Sequence, residues 1–429
     1  MKKKFFYGWI VVFACTVLTA LGTGVVSSLA VFLSPMVKAK GYSIAGVSSL
    51  ISLYFIGTIV GNILLAKLLS KANLKIAVLT AGIIQGTLII AMSKIDSLSI
   101  LTVITFLIGF IIVSVSVLPV PIIITNWFKA KRGTAMGIAI AGVGLGAAIF
   151  APSLNLVISS SGYKSAFVVW GVAVIILAVI CGTLIYTRPE DKNLKAYGLN
   201  EGDPEVPAEK SLEVQPNSSD GISLGQSFKT SAFWLVVVFV IGTSIPQMID
   251  VVQTPSYLTD IGVSDVRLSQ ILFAFGICSM LGKMTIGYLF DKFGLSKGCM
   301  AGFTLGAITL VSLVLLGKSL GLVYLYILFG GAGLNFNFVA LPIFTSKFFG
   351  TKHYATIYSG LYAFFMFLAS ILGTVSGVLV EKFGYSSSYL IGFIFLVVAI
   401  FACISLLKVK KPWLEANKNE IIHTARNIN

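Results

Sequence analysis

Two ionisable side chains, Lys283 and Asp250, lie within long apolar stretches of the sequence. A charged side chain at the centre of a bilayer costs about 2.5–3.5 kcal/mol on insertion scales, so such residues are usually functional. An ammonium group beside a water-filled cavity suits an anion, and a carboxyl group in a membrane can carry a proton. We therefore predict that Lys283 binds the substrate and that Asp250 takes part in proton coupling.

Each of the two predictions has a structural alternative. Lys283 either pairs with Asp250 or extends its ammonium group along its own stem towards the polar surface. About nine residues separate Lys283 from the end of its span, roughly 13 Å of helix, which is deep for such an extension. In the alternative for Asp250, its carboxyl group is the structural partner of another polar group.

The elements that must position these residues are long apolar helices. The 429 residues are 57% hydrophobic and 11% charged, whereas a soluble protein averages about 25% charged residues. A helix of about 20 apolar residues spans a bilayer. The sequence contains twelve such segments, at 7–34, 43–69, 74–93, 98–127, 133–157, 165–187, 232–258, 268–290, 298–317, 320–346, 354–380 and 386–407. The predicted fold class is an all-α polytopic membrane protein with twelve transmembrane helices in two pseudo-symmetric six-helix bundles.

The net charge of +15 is distributed along the chain in short loops. Of the Lys and Arg residues, 23 lie on the side of the N-terminus and seven on the other side, which is the positive-inside pattern. We predict that both termini are cytoplasmic, that the protein lies in the cell (inner) membrane, and that Lys2–Lys4 precede an uncleaved first helix. The basic loops form no continuous stripe with aromatic residues, so we expect no nucleic-acid partner.

The cysteine and histidine residues offer neither a metal site nor a catalytic constellation. The five Cys have no CxxC spacing and fall in or at the end of apolar segments, while His353 and His423 stand in a loop and in the tail. No metal cluster or His-based triad can be assembled from them. We expect no cofactor, no metal and no enzymatic activity.

A polar segment at 188–231, with eight acidic and five basic residues, separates the first six apolar segments from the last six. It has no apolar pattern that would bury a core. The predicted domains are an N-terminal six-helix bundle (1–187), a cytoplasmic linker (188–231), a C-terminal six-helix bundle (232–407) and a cytoplasmic tail (408–429). A regulatory role of the linker stays open.

The two halves repeat at one constant offset along the chain. The positions that share it are Gly61 and Gly282, Ser70 and Asp291, Pro121 and Pro342, and Asn126-Trp127-Phe128 and Lys347-Phe348-Phe349; Tyr163 matches Tyr385 one position out of step. Parallel six-helix repeats are typical of secondary transporters, whose substrate site lies between the bundles near the midplane. Asn62 is the counterpart of Lys283 in this repeat.

Other polar residues inside the apolar segments are further candidates for substrate binding. They are Tyr54, Asn62, Gln247, Asn335, Asn337 and Tyr362, together with Gln85. Each either lines the cavity or makes an interhelical hydrogen bond worth about 0.6 kcal/mol, and both interpretations stay open.

A charged turn, Gly287-Tyr-Leu-Phe-Asp291-Lys292-Phe-Gly294, follows the span that holds Lys283. It is similar to the loop motif of the major facilitator superfamily, and the resemblance to that family covers nearly all of the chain. The resemblance implies a gate at the cytoplasmic helix ends, formed by Gly287, Asp291, Lys292, Lys71 and Arg132. The first-half copy, 66–73, has Ser70 where the family has Asp and Asn73 where it has Gly, which puts the first-half gate in question.

Three further stretches resemble the monocarboxylate transporter and oxalate–formate antiporter branch of that family. They are Phe6-Tyr7-Gly8-Trp9, Asn126-Trp127-Phe128-Lys-Ala-Lys131-Arg132-Gly133 and Tyr257-Leu-Thr-Asp260-Ile-Gly262. The resemblance implies a small carboxylate as substrate, moved by proton symport or anion exchange. It places Lys283 where the branch carries a substrate-binding Arg, and Lys lacks the planar fork that holds a carboxylate by two hydrogen bonds. It also implies proton coupling or outer gating for Asp260, which is otherwise a solvated loop residue.

The eleventh apolar segment lacks the Lys that the oxalate-exchanger pattern expects, which favours a monoanion over a dianion. We therefore predict a monomeric secondary active transporter of a small organic monoanion such as lactate, pyruvate or formate, coupled to protons and working by alternating access. The alternatives are an antiporter or exporter of another organic solute and a non-transporting membrane sensor on the same scaffold.

Overall fold

A computed structural model describes residues 6–70, 72–199 and 221–414 of the protein. The first six helices are numbered α1 to α6 in chain order. Their bounds are Gly8–Lys40 (α1), Ile44–Leu69 (α2), Leu74–Met92 (α3), Leu98–Ile112 continued by Val113–Val117 and Pro119–Trp127 (α4), and Arg132–Leu184, which Gly162 divides into α5 and α6.

The second six helices, α7 to α12, follow the same pattern. Their bounds are Ser231–Asp260 (α7), Asp265–Leu315, which Gly294 divides into α8 and α9, Val323–Gly333 continued by Asn337–Phe349 (α10), and Tyr354–Lys408, which Gly384 divides into α11 and α12. The one-turn helix Leu224–Ser227 precedes α7, and its N-terminus is capped by the Ser223 hydroxyl group.

Each of the three long stretches contains one glycine outside helical geometry. The φ and ψ angles are 82° and 164° at Gly162, 82° and 171° at Gly294, and 76° and 169° at Gly384. This backbone region is open essentially to glycine alone. A helix of 53 residues would run about 80 Å, far beyond the roughly 30 Å of hydrocarbon in a bilayer. The glycine turns therefore divide each stretch into two spans.

Length and hydropathy identify eight helical stretches in the described residues that can cross a membrane, and two shorter apolar helices, Gly8–Gly22 and Tyr354–Leu368, add to them. In two of the eight, Arg132–Leu184 and Val266–Lys318, a glycine turn divides the stretch, so each holds two spans. The predicted fold class, an all-α polytopic membrane protein of twelve helices, is confirmed.

The chain divides into two compact units, 1–200 together with 279–284, and 201–278 together with 285–429. In the first unit α1 packs along the α5–α6 stretch and α2 packs against α4. The rings of Phe32 and Phe167 stack there with centroids 4.0 Å apart. In the second unit α7 packs along the α11–α12 stretch, with Phe239 and Phe344 in its buried core.

Helices α4 and α10 are irregular at the same place in the repeat. In α4 the residues Val113–Val117 form one turn of π-helix, and in α10 the helix ends at Gly333 and resumes at Asn337. The offset that relates Gly61 to Gly282 maps Val113–Val117 onto 334–338. Such interruptions within a long helix are frequent at functional sites.

The two copies of the loop motif differ in their backbone. In the first copy α2 ends at Leu69, and Asn73 caps the N-terminus of α3 because its Oδ1 accepts a hydrogen bond from the Lys75 N–H at 3.0 Å. In the second copy Gly294 turns the chain with a positive φ. Asn73, with φ of −72°, thus replaces the glycine by using a different turn.

The ends of the 188–231 segment differ from the prediction. Tyr197 exchanges backbone hydrogen bonds with the end of α4, where Phe128 pairs with it, and the Ile222 N–H donates to the Phe349 carbonyl at the end of α10. Ala196 and Ile222 are buried. The prediction that nothing in this segment buries a core is wrong for these ends. Backbone groups at the ends of α4 and α10 have no partner within their own helix, and the two ends of the segment pair with them. Residues 200–220 lie outside the described part of the chain.

Candidate functional site

Lys283 lies in the middle of α8 and is 2% exposed. At 1.5 Å per residue it stands about 27 Å from Asp265, where the helix starts, and about 16 Å from Gly294. Its ammonium group donates a hydrogen bond to the Ser279 hydroxyl at 3.2 Å, one helical turn away. The helix thus positions a buried cation beside a neutral oxygen at the depth of the hydrocarbon core.

Three of the predicted polar candidates meet at the interruption of α10. The Gln247 side chain on α7 donates from Nε2 to Asn335 Oδ1 at 2.7 Å and accepts from Asn337 Nδ2 at 3.2 Å. One amide therefore bridges the two sides of the interruption, and all three side chains are buried. Asn337 Oδ1 has no hydrogen-bond partner among the described residues, which leaves a buried acceptor for a solute or a water molecule.

Asp250 follows Gln247 by three residues on α7 and is 1% exposed. Its Oδ1 accepts a hydrogen bond from the Thr254 hydroxyl at 2.7 Å, and the Tyr326 hydroxyl of α10 also hydrogen-bonds to the carboxyl group. The predicted intramembrane acid is therefore part of a hydroxyl cluster within the second unit.

Asp260 lies at the far end of the same helix, α7, and is exposed. Its Oδ2 accepts a hydrogen bond from the Tyr385 hydroxyl at the start of α12, at 2.6 Å. The Tyr385 ring stacks on Tyr257 with centroids 4.7 Å apart. Asp260 therefore has a specific partner on a second helix, unlike a freely solvated loop residue.

The first-unit candidates, Asn62 and Tyr54, both lie on α2 and are buried. Asn62 Nδ2 donates to the Thr58 carbonyl of its own helix at 2.9 Å, and its Oδ1 has no hydrogen-bond partner among the described residues. The Tyr54 hydroxyl approaches the Gly22 carbonyl of α1 at 3.4 Å. Gln85 on α3 is also fully buried, and its side-chain amide lacks a partner within the described ranges.

Tyr362 belongs to a row of aromatic rings along α11. Its ring lies 5.9 Å from Tyr358 and 5.6 Å from Phe365 between centroids, and Phe365 lies 5.4 Å from Phe338 at the interruption of α10. The residues recur at three- and four-residue spacing, which places them on one face of the helix. Tyr362 thus belongs to a surface that leads to the α10 interruption.

The predicted gate residues lie at helix ends. Lys292 stands at the end of α8 with its ammonium 5.5 Å from the Tyr288 ring centroid, next to Asp291 and one turn after Gly287. Arg132 donates from Nε to the Phe128 carbonyl at 3.0 Å, so it caps the C-terminal carbonyls of α4. Lys71 lies outside the described residues.

Sequence reasoning missed the hydroxyl partners of the two intramembrane charges, Ser279, Thr254 and Tyr326, and also Tyr389, whose hydroxyl pairs with Thr254. A weak signal existed for two of them, because Ser279 precedes Lys283 by four residues and Thr254 follows Asp250 by four, which places each pair on one helix face. Tyr326 and Tyr389 come from other helices, and only the folded bundle shows that they face Asp250.

Comparison with known proteins identifies the family of this chain. The model of the family "Major Facilitator Superfamily" matches residues 12–374 and 247–426. Monocarboxylate transporter 12-B of Danio rerio is 25% identical over 321 residues, which cover 68% of this chain and 63% of that protein. Monocarboxylate transporter 12 of Mus musculus is 23% identical over 67% of this chain and 61% of its own length. The chain thus spans less than two thirds of the length of these curated relatives.

Solved structures show the same fold. The proton:xylose symporter XylE superposes with a TM-score of 0.69 at 16% identity over 95% of this chain and 99% of that chain. The E. coli fucose:proton symporter FucP gives a TM-score of 0.66 at 15% identity over 93% and 99%. These relatives and neighbours are transporters and not enzymes. The chain belongs to the major facilitator superfamily and is a multi-pass membrane protein.

Proposed function

We propose that the protein transports a small organic monoanion, such as lactate, pyruvate or formate, and that Lys283 binds its anionic group. The observation that carries this proposal is a buried ammonium group at the depth of the hydrocarbon core, hydrogen-bonded to the neutral Ser279 hydroxyl. A cation kept in the membrane at this cost suits an anionic solute. The names of the zebrafish and mouse relatives, both monocarboxylate transporters, support the same class of substrate.

The other polar candidates have supporting roles in this proposal. Gln247, Asn335 and Asn337 contact the neutral part of the solute, because their amides offer both donors and acceptors. Asn62, Tyr54 and Tyr362 are proposed to line the path of the solute. Lys283 is a point charge, so its ammonium group donates to one carboxylate oxygen or to several equivalent oxygens without the geometric demand of a guanidinium group.

A solute or ion gradient drives transport in this proposal, and proton symport through Asp250 or Asp260 is the mechanism we favour. Asp291, Lys292, Gly287, Lys71 and Arg132 form the gate at the helix ends. The excess of 23 Lys and Arg residues over seven supports the proposal that both termini are cytoplasmic and that the protein lies in the cell (inner) membrane. The protein is proposed to work as a monomer.

Counterflow of labelled carboxylates in proteoliposomes tests the anion site. Lys283→Ala removes a charged hydrogen bond of about 1.5–3 kcal/mol, so we expect the apparent affinity for the monoanion to fall roughly 10- to 150-fold. Lys283→Arg keeps the charge and is expected to retain binding with an altered preference among carboxylates. Lys94→Ala, at an exposed position, is the matched control and is expected to transport like the wild type.

Saturable carboxylate counterflow that survives Lys283→Ala unchanged would contradict the anion-site assignment. Counterflow without accumulation under a proton gradient would indicate an exchanger, which is the antiporter alternative. Absence of counterflow for every carboxylate would instead favour the non-transporting sensor.

A further inference from the structure

The carboxyl group of Asp250 is enclosed by hydroxyl groups from three helices of the second unit. The Thr254 hydroxyl of α7 donates to Asp250 Oδ1 at 2.7 Å, and the Tyr326 hydroxyl of α10 hydrogen-bonds to the same carboxyl group. The Thr254 oxygen lies 3.0 Å from the Tyr389 hydroxyl of α12. We call these four residues, Asp250, Thr254, Tyr326 and Tyr389, the hydroxyl cluster.

The partners of Asp250 differ in kind from those of Asp96, an acid in the loop between α3 and α4. Asp96 lies 3.0 Å from the Lys164 ammonium and 3.1 Å from the Lys40 ammonium, and these hydrogen bonds hold its pKa below the usual range. An ammonium group only donates, whereas a hydroxyl group both donates and accepts. The hydroxyl cluster can therefore satisfy either a carboxylate or a carboxylic acid by rotating its O–H bonds.

The repeat shows that this architecture does not need an acid at this place. The offset that relates Gly61 to Gly282 maps Asp250 onto Leu29, and the offset that relates Tyr163 to Tyr385 in the last helix of each half maps Tyr389 onto Phe167. Leu29 and Phe167 are buried. At these two positions the first bundle forms with apolar side chains, which points to a function of Asp250 beyond folding.

A row of tyrosine side chains leads from the cluster to the exposed end of α7. Tyr389 and Tyr385 are four residues apart on one face of α12, and the Tyr385 hydroxyl donates to the exposed Asp260 at 2.6 Å. The Tyr257 ring stacks on Tyr385 and lies 6.0 Å from Tyr389 between centroids.

Among the described residues, the titratable groups that face Asp250 from the packed helices are the phenols of Tyr326 and Tyr389. The Tyr326 ring stacks on the apolar ring of Phe275 on α8.

We propose that the hydroxyl cluster is the proton-binding site of the transporter and that Tyr385 and Asp260 form its entrance. This inference rests on the proposed proton-coupled function. In the loading step the Asp250 carboxylate takes one proton from a hydronium ion, which gives a neutral carboxylic acid and water. The acid returns the proton to water in the release step. The cycle moves one proton and requires no other reactant.

Two measurements on proteoliposomes separate coupling from transport. The first is monoanion accumulation driven by an inward proton gradient, with proton uptake followed by a trapped pH dye. The second is monoanion counterflow at equal pH, which needs no net proton movement. Asp250→Asn is expected to abolish gradient-driven accumulation and solute-induced proton uptake while counterflow persists. Asp96→Asn makes the same substitution at an acid held by ammonium groups, and is expected to keep both activities.

Two further variants test the cluster without relying on Asp250→Asn. They are Tyr389→Phe and the double variant Asp250→Leu with Tyr389→Phe. The double variant reproduces the apolar pair of the first bundle, so it is expected to fold and to lose proton coupling. Tyr389→Phe removes one hydroxyl group and is expected to slow proton-driven uptake while leaving the counterflow rate unchanged.

Infrared titration of the purified protein supplies a readout that does not depend on a solute. We expect the carbonyl band of a protonated carboxyl group in the wild type and in Asp96→Asn, and its loss in Asp250→Asn. If that band is lost while no carboxylate shows counterflow, the proposed function fails and the proton site stands. Proton-driven uptake that persists in Asp250→Asn overturns the inference while the transport function stands. Uptake that requires sodium and is lost in Asp250→Asn overturns it in favour of a cation site.

Discussion

The close backbone approach beside the α10 interruption gives a sharp prediction about Gly333 and Gly306. A Cβ atom added at Gly333 would lie 2.6 Å from the Gly306 Cα and closer still to backbone atoms of Leu305 and Gly306 on α9. Backbone atoms cannot rotate away, so one of the two helices must shift. Forced overpacking of this kind costs about 1–3 kcal/mol, and Gly333→Ala should fall at the upper end.

The same substitution at the facing glycine, Gly306→Ala, is expected to destabilise the protein much less. A Cβ atom at Gly306 would meet the Gly333 oxygen at 3.0 Å and the flexible Leu396 Cδ2 at 3.4 Å. Alanine also improves a helix interior by about 1 kcal/mol relative to glycine, which offsets most of that crowding. Gly276→Ala on α8 is the open control, because nothing lies within 4 Å of its added Cβ, and it is expected to be neutral or stabilising.

Thermal unfolding in detergent measures the difference. Cys15, Cys181, Cys299 and Cys403 are buried, so a thiol-reactive fluorophore reports unfolding of the protein. At about 2–4 °C per kcal/mol for a unit of this size, Gly333→Ala should lower the apparent Tm by roughly 4–12 °C, and Gly306→Ala by no more than about 2 °C. Equal Tm values for the two variants, or a larger loss for Gly306→Ala, would refute the asymmetric contact between the two glycines.

Two further predictions concern the first unit. Gly41 and Gly162 both have open space around an added Cβ, but Gly41 is left-handed helical (φ 67°, ψ 20°) and Gly162 has ψ of 164°. Gly41→Asn should therefore be tolerated, whereas Gly162→Asn should cost about 1–3 kcal/mol; equal Tm values would contradict the backbone argument. The pKa of Asp96 is lowered by Lys164 and Lys40, so its ion pairs stabilise the fold above the unfolded pKa of about 3.9 and are lost as pH falls through the lower folded pKa. Asp96→Asn should thus lower the apparent Tm at neutral pH, and the difference from the wild type should vanish in acid; a difference that persists in acid would refute the assignment.

The fold was predictable because its main signals are local. Twelve apolar stretches of spanning length and a constant repeat offset define the helices, and Gly294 already marked the turn after α8. The equivalent turns at Gly162 and Gly384 use the same backbone conformation. Polar composition misled at the ends of the 188–231 segment, because the pairing of Tyr197 and Ile222 with the bundles uses backbone groups that side-chain patterns do not report.

The candidate site was predictable in its residues and not in their partners. Intramembrane polarity alone identified Lys283, Asp250, Gln247, Asn335 and Asn337. The hydrogen bonds that join Gln247 to both asparagines depend on the interruption of α10. Gly330, Gly331 and Gly333 precede it, but glycine in a membrane helix also serves close helix packing, so these glycines did not locate the interruption. Which hydroxyl groups face Asp250 depends on how three helices pack, which periodicity along one helix cannot determine.

Comparison of the two copies of the repeat also distinguishes features that the bundle needs for its fold from residues that have a chemical function. Both copies keep the irregularity of the fourth helix, at Val113–Val117 and at 334–338, so this feature belongs to the architecture. Lys283 and Asp250 have only Asn62 and Leu29 as counterparts in the first copy. A bundle that folds without these two charges has no structural need for either. Because each charge costs free energy in a membrane, their presence in the second copy is best explained by a solute and a proton that bind there.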